Sequence, residues 1–119
     1  MKKILLATVI ALVTAVPVMA ACEGGTEVKG FCISDITLNW WSAANWCKAN
    51  GRRLATMYEV CPGWDENVGT GKCPVITSSI GPYAWTATAN NSNYAFFIDP
   101  STGFVDSGDR SYLDHALCK

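Results

Sequence analysis

The sequence predicts a small α+β domain on three observations. A helical period of apolar residues lies early in the chain, a strand-like period fills its last third, and six cysteines are available to staple a core too small to hold by itself. The 119 residues contain no internal repeat, low-complexity tract or linker, which suits one domain.

The chain opens Met1-Lys2-Lys3, runs apolar from Ile4 to about Val16 and exits through Val18-Met19-Ala20. A basic start, a short apolar run and a small-residue exit are the plan of a signal peptide, so residues 1–20 are expected to be cleaved and 21–119 to form the domain. The apolar run is shorter than the roughly 18–20 residues that span a bilayer, and no later run is longer, so no membrane span is expected after cleavage. Met19-Ala20-Ala21-Cys22 also loosely resembles a lipobox, the alternative in which Cys22 is acylated. That route usually wants Leu where Met19 stands, and it would leave an odd number of cysteines in an oxidising compartment. The Lys-Lys start suits a bacterial export signal, and the destination is secreted or periplasmic.

After a loop over 23–29, Phe31-Cys32-Ile33 with Ile36 beyond reads as a short strand. Asn39 then caps a helix whose apolar residues Trp40, Ala43, Ala44 and Cys47 fall at i, i+3, i+4 and i+7, and Asn50-Gly51 stops it. Thr56 and Glu59 have capping-box spacing, which starts a second, short helix ending near Cys61 and Pro62. Residues 62–82 lack periodicity and are rich in Gly, Pro, Ser and Thr, a long loop bracketed early by Cys61 and Cys73. Strands are expected at 83–88, 94–98, 103–105 and 112–118, with turns at 90–93, 100–103 and 107–110, an antiparallel meander.

The composition excludes some functions. The chain carries a net charge of −1, more negative once Lys2 and Lys3 leave with the leader, and has no run of like charges. Nucleic acid and anionic membranes are therefore poor partners. Zinc ligation by cysteine would want paired C-x-x-C spacings or several histidines, and His115 is the single histidine. Three disulfides are the expected use of the cysteines, although their number alone leaves the pairing open.

The run from Trp40 to Thr56, with Trp40, Ala43, Cys47, Gly51, Arg52, Leu54 and Ala55 in order, resembles the first-helix signature of the C-type lectin-like domain. The closing segments, Tyr83-Ala84-Trp85-Thr86-Ala87-Thr88, Asn93-Tyr94-Ala95-Phe96-Phe97-Ile98-Asp99, Gly103 and Ala116-Leu117-Cys118, resemble the end of bacterial members of that superfamily. The resemblance covers most of the mature chain. It implies a bridge from Cys47 to Cys118 and an N-terminal hairpin bridge from Cys22 to Cys32, leaving Cys61 and Cys73 to each other. Sugar-binding members hold calcium with a Glu-Pro-Asn or Gln-Pro-Asp triplet in the long loop and a Trp-Asn-Asp triplet before the closing strands. Neither triplet is present, so no cofactor is expected, and Asp65 and Glu66 read as solvated loop charges.

The remaining polar residues have structural readings. Asp99, Asp106, Asp109 and Asp114 crowd into the meander, but three adjoin turns, where Asp serves local hydrogen bonds. Asp114 and His115, with Ser111 nearby, suggest a hydrolytic triad only superficially, because adjacent strand residues face opposite ways and no nucleophile elbow accompanies them. An enzyme is not expected. Trp40, Trp46 and Trp85 belong to the core, whereas Trp41 and Trp64 are the candidate exposed pair for sugar stacking. The tip Asn90-Asn91-Ser92-Asn93-Tyr94 adds amides and a ring. The expectation is an exported lectin-like binding module contacting a carbohydrate, without calcium, or a protein surface through Trp41, Trp64, Asn90, Asn91, Asn93 and Tyr94. The alternative is a structural component of the cell envelope.

Overall fold

The computed structural model describes residues 21–67 and 71–119; the leader expected at 1–20 lies outside the described residues. Among the described residues two helices and seven strands form a small α+β domain. Strand β1 (Gly25–Val28) and β2 (Phe31–Leu38) are a hairpin; α1 (Trp40–Ala49) and α2 (Met57–Val60) follow. A two-residue β3 (Gly71–Lys72) precedes β4 (Ala84–Ala89), β5 (Tyr94–Ile98), β6 (Phe104–Asp109) and β7 (Asp114–Cys118).

The sheet order is β1-β2-β7-β4-β5-β6-β3. It is mixed, not antiparallel throughout as the meander reading had it. Strand β7 pairs antiparallel with β2 and parallel with β4. Because β2 and β4 run oppositely, no strand between them can be antiparallel to both. The expected loop at 23–29 contains β1, since Lys29 and Gly30 both take positive φ and close a tight hairpin in the register Val28↔Phe31. The expected turn at 107–110 is also displaced. Strands β5 and β6 stay paired to Tyr94↔Asp109, where Gly108 lets Phe97 and Tyr112 lie close, and the turn falls at 110–113.

Strand alternation divides the core into two clusters, one on each face of the sheet. Trp85, Phe97 and Ala116 pack with Ala43, Cys47 and Leu54 on the α1 side. Their strand neighbours Ala84, Phe96 and Leu117 pack with Met57, Val60 and Ile76 on the other. Trp85 is fully buried and its indole Nε1 donates to Leu38 O at 3.0 Å. The disulfides join Cys22 to Cys32, Cys47 to Cys118 and Cys61 to Cys73, so α1 is tied to β7 and the long loop is closed at its base.

Both helices are capped by side chains. Asn39 Oδ1 accepts from Ser42 N at 2.9 Å, and Thr56 with Glu59 forms a reciprocal capping box on α2. Arg53 grips both Glu59 oxygens at 2.7 Å, and this hydrogen-bonded ion pair is the main cause that brings the Glu59 carboxyl from 4.5 down to about 2. A carboxyl depressed by folding stabilises the protein above its unfolded value and loses that contribution as pH falls toward the folded one. Since the Arg53 side chain is 61% exposed, solvent screening leaves only about 1 kcal/mol of this contribution. Glu59→Gln should therefore lose about that much stability at neutral pH in urea unfolding. The gap from the parent should narrow between pH 4.5 and about 2. A gap that is constant across that window would remove the ion pair as its cause.

Candidate functional site

Arg110 is the residue that assembles the candidate surface. It follows β6 directly, and its backbone N donates to Asn93 O at 2.9 Å while its carbonyl accepts from Trp40 N at 2.9 Å. Its guanidinium lies over the Trp40 ring, 4.4 Å from the centroid, and Nη2 donates to Asn91 O at 3.1 Å. One side chain and its peptide thus join the start of α1, the turn between β4 and β5, and the turn at 110–113. Its Nε is buried without a hydrogen-bond partner, which the stacked indole partly offsets.

These three joined segments carry a group of exposed apolar side chains. Trp41 is 51% exposed and meets Trp40 edge-on at 6.2 Å; Tyr94, Tyr112 and Leu113 are 41%, 60% and 65% exposed. Trp and Tyr with a neighbouring Arg are the residue types that dominate binding surfaces, because they offer large rigid contact area at small entropic cost. Tyr112, Leu113 and Arg110 escaped the sequence reading because its turn was set at 107–110 and its last strand began at 112. The dipeptide Tyr112-Leu113 inside a turn would have been the signal.

The asparagines have partly structural duties. Asn91 Oδ1 accepts from Asn93 N at 2.8 Å and Tyr94 N at 2.9 Å, shaping the turn itself. Asn90 Nδ2 donates to Ser107 Oγ at 3.0 Å. Asn93 is exposed at the same tip. Trp64 belongs elsewhere: it is half-buried and packs edge-to-face with Phe96 at 4.9 Å and Tyr58 at 5.3 Å, against the core cluster that excludes Trp40. The structure brings Trp41, Asn90, Asn91, Asn93 and Tyr94 onto joined segments and leaves Trp64 out.

The acidic residues are used locally. Asp99 Oδ1 accepts from Ser101 N and Oγ at 2.9 and 2.6 Å; burial raises its carboxyl, but the hydrogen bonds from Ser101 and Thr102 outweigh this and hold it below the ordinary range. Asp109 is held down in the same way by Ser111 N and Oγ. Asp114 moves the other way, raised by burial against the opposing charge of His115. The two His115 ring nitrogens face Ser34 O at 2.7 Å and Gly81 O at 3.3 Å, while the Ser111 hydroxyl is engaged by Asp109, so no triad geometry is assembled. Asp65 Oδ1 accepts from Asn67 N within its own loop. Among the described residues, no group of three or more His, Cys, Asp or Glu is placed to hold a metal ion, and no helix is long and apolar enough to cross a membrane. No protein-family model, curated protein or solved structure matches the chain.

Proposed function

We propose that the chain is an exported C-type lectin-like binding module, and that it recognises carbohydrate without calcium through the surface organised by Arg110. The observation that carries the reading is the gathering of exposed Trp41, Tyr94, Tyr112 and Leu113 on segments that Arg110 locks together. Flat rings beside turn amides suit a pyranose, whose apolar face packs on an aromatic side chain while its hydroxyls hydrogen-bond to the rim. The lectin-like fold is supported by the first-helix signature and by the bridge from α1 to the last strand. Leu113, the most exposed of the four, favours a second reading in which the same surface meets a protein.

A glycan array probed with the oxidised protein, once with calcium and once with excess chelator, tests the proposal. Signal should survive chelation, and Trp41→Ala should weaken it about tenfold while leaving the thermal midpoint unchanged. Signal lost on chelation would instead put a cation, and Asp65 with Glu66, into recognition. Silence in both arms would overturn the carbohydrate reading and leave the protein-surface one, to be tested by pull-down from the cell envelope.

A further inference from the structure

A concavity lies beside Trp40, which lines it. It is an open groove of about 660 Å³ between α1 and the 52–56 segment. Trp40, Ala44 and Lys48 stand one helical turn apart on its first wall, and Leu54 and Ala87 contribute to the rest of its apolar surface. The hollow exists because alanines occupy positions 44 and 87, where larger side chains would fill it. The Trp40 wall is fixed in advance, since its Nε1 donates to Thr86 O at 2.9 Å and Arg110 covers one ring face. A wall that needs no ordering on contact favours binding.

The charges at this groove differ in sign from the chain as a whole. Lys48, Arg52 and Arg53 line it, and Glu59 is the one acid among its lining residues. Two of these cations are already compensated: Arg53 by Glu59, and Arg52, whose side chain is nearly buried, by Glu27. Lys48 has no acidic partner among the described residues and stands exposed beside the apolar wall, one turn from Ala44. Both Glu59 oxygens are occupied by Arg53, and one also accepts from Thr56 N, so this acid has little left to offer a cationic ligand.

We infer that the groove is a binding site for an anionic amphiphile, with the apolar body lying against Trp40, Ala44, Leu54 and Ala87 and the anionic end group paired with Lys48. The groove shares Trp40 with the support of the carbohydrate surface but none of that surface's exposed residues lines it, and the inference does not depend on that reading. A carboxylate or a phosphate would satisfy the same ammonium, so the end group's source is left to the measurement.

The test is amide and indole NMR of the oxidised protein titrated with decanoate, decyl phosphate and decyltrimethylammonium. Decanoate, decyl phosphate or both should give saturable shifts at the Trp40 indole N–H, Lys48 and Ala87, with a Kd of about 0.1–1 mM. The anion that binds more tightly identifies the end group. Lys48→Glu, an exposed change that does not touch the core, should weaken anion binding about fivefold. Ala44→Leu, which fills the hollow, should weaken it whatever the end group. Equal binding of the cationic amphiphile, shifts centred on Tyr112 and Leu113, or no saturation by either anion would overturn the inference.

Discussion

Gly103→Ala should lower the unfolding free energy by on the order of 3–5 kcal/mol, enough to deplete the folded state of a small domain. Gly103 has φ +79°, and a Cβ built there would lie 1.8 Å from Cys73 O and 2.8 Å from Cys73 C. Backbone must move to admit it, yet Cys73 is held from both sides. Its N donates to Gly103 O at 2.7 Å, and its side chain is bonded to Cys61. The neighbouring pairs Gly71↔Val105 and Lys72↔Phe104 join β3 to β6 and would shift with it. Gly63→Ala is the control. Its φ is +85° with nothing within 4 Å of the added Cβ, so it should show only the cost of the left-handed conformation, about 1–2 kcal/mol. Urea midpoints for both variants separate collision from conformation, and equal losses would show that the contact with Cys73 relaxes freely.

Removing the Cys47–Cys118 bridge should cost on the order of 4 kcal/mol, more than the roughly 3 kcal/mol expected for Cys61–Cys73. The physical difference is the size of the loop each closes in the unfolded chain: the sequence separations are 71 and 12. Both bridges lie in the core, but Cys47 and Cys118 are fully buried among Ala43, Trp85 and Ala116, whereas Cys61 and Cys73 keep 7% and 9% exposure. Loss of the larger bridge to a pair of alanines therefore adds a void to the regained chain entropy. The double variants Cys47→Ala with Cys118→Ala, and Cys61→Ala with Cys73→Ala, compared by chemical unfolding, read the difference directly. A larger loss from the short bridge would mean that the long loop, and not the union of α1 with β7, limits stability.

The helices were the most legible elements because their signals are local. Asn39 and Thr56 cap where the sequence places caps, and the Trp40, Ala43, Ala44, Cys47 period puts Ala43 and Cys47 in the core. The strands were less so. Strand β1 has little apolar periodicity, and β3 is two residues long; each forms because a partner strand supplies its hydrogen bonds. Of the candidate binding residues, Trp41 and the asparagine tip were visible as exposed aromatic and turn chemistry. Trp64, expected to be exposed, is half-buried, because whether a loop tryptophan folds back onto Phe96 depends on the course of a long aperiodic loop.

What the sequence determined by itself is what short-range physics controls: two capped helices, the small-domain reliance on disulfides, and the alternation that sends Ala84, Phe96 and Leu117 to one face and Trp85, Phe97 and Ala116 to the other. The tertiary structure decided the rest. It inserted β7 between β2 and β4, and with that set the parallel pair in the sheet. It brought Arg110 onto Trp40, 70 positions away in the chain, and so joined surfaces that no local pattern links. It also opened the groove beside Lys48, since a concavity is defined by the distance between segments, a quantity that periodicity and composition do not carry.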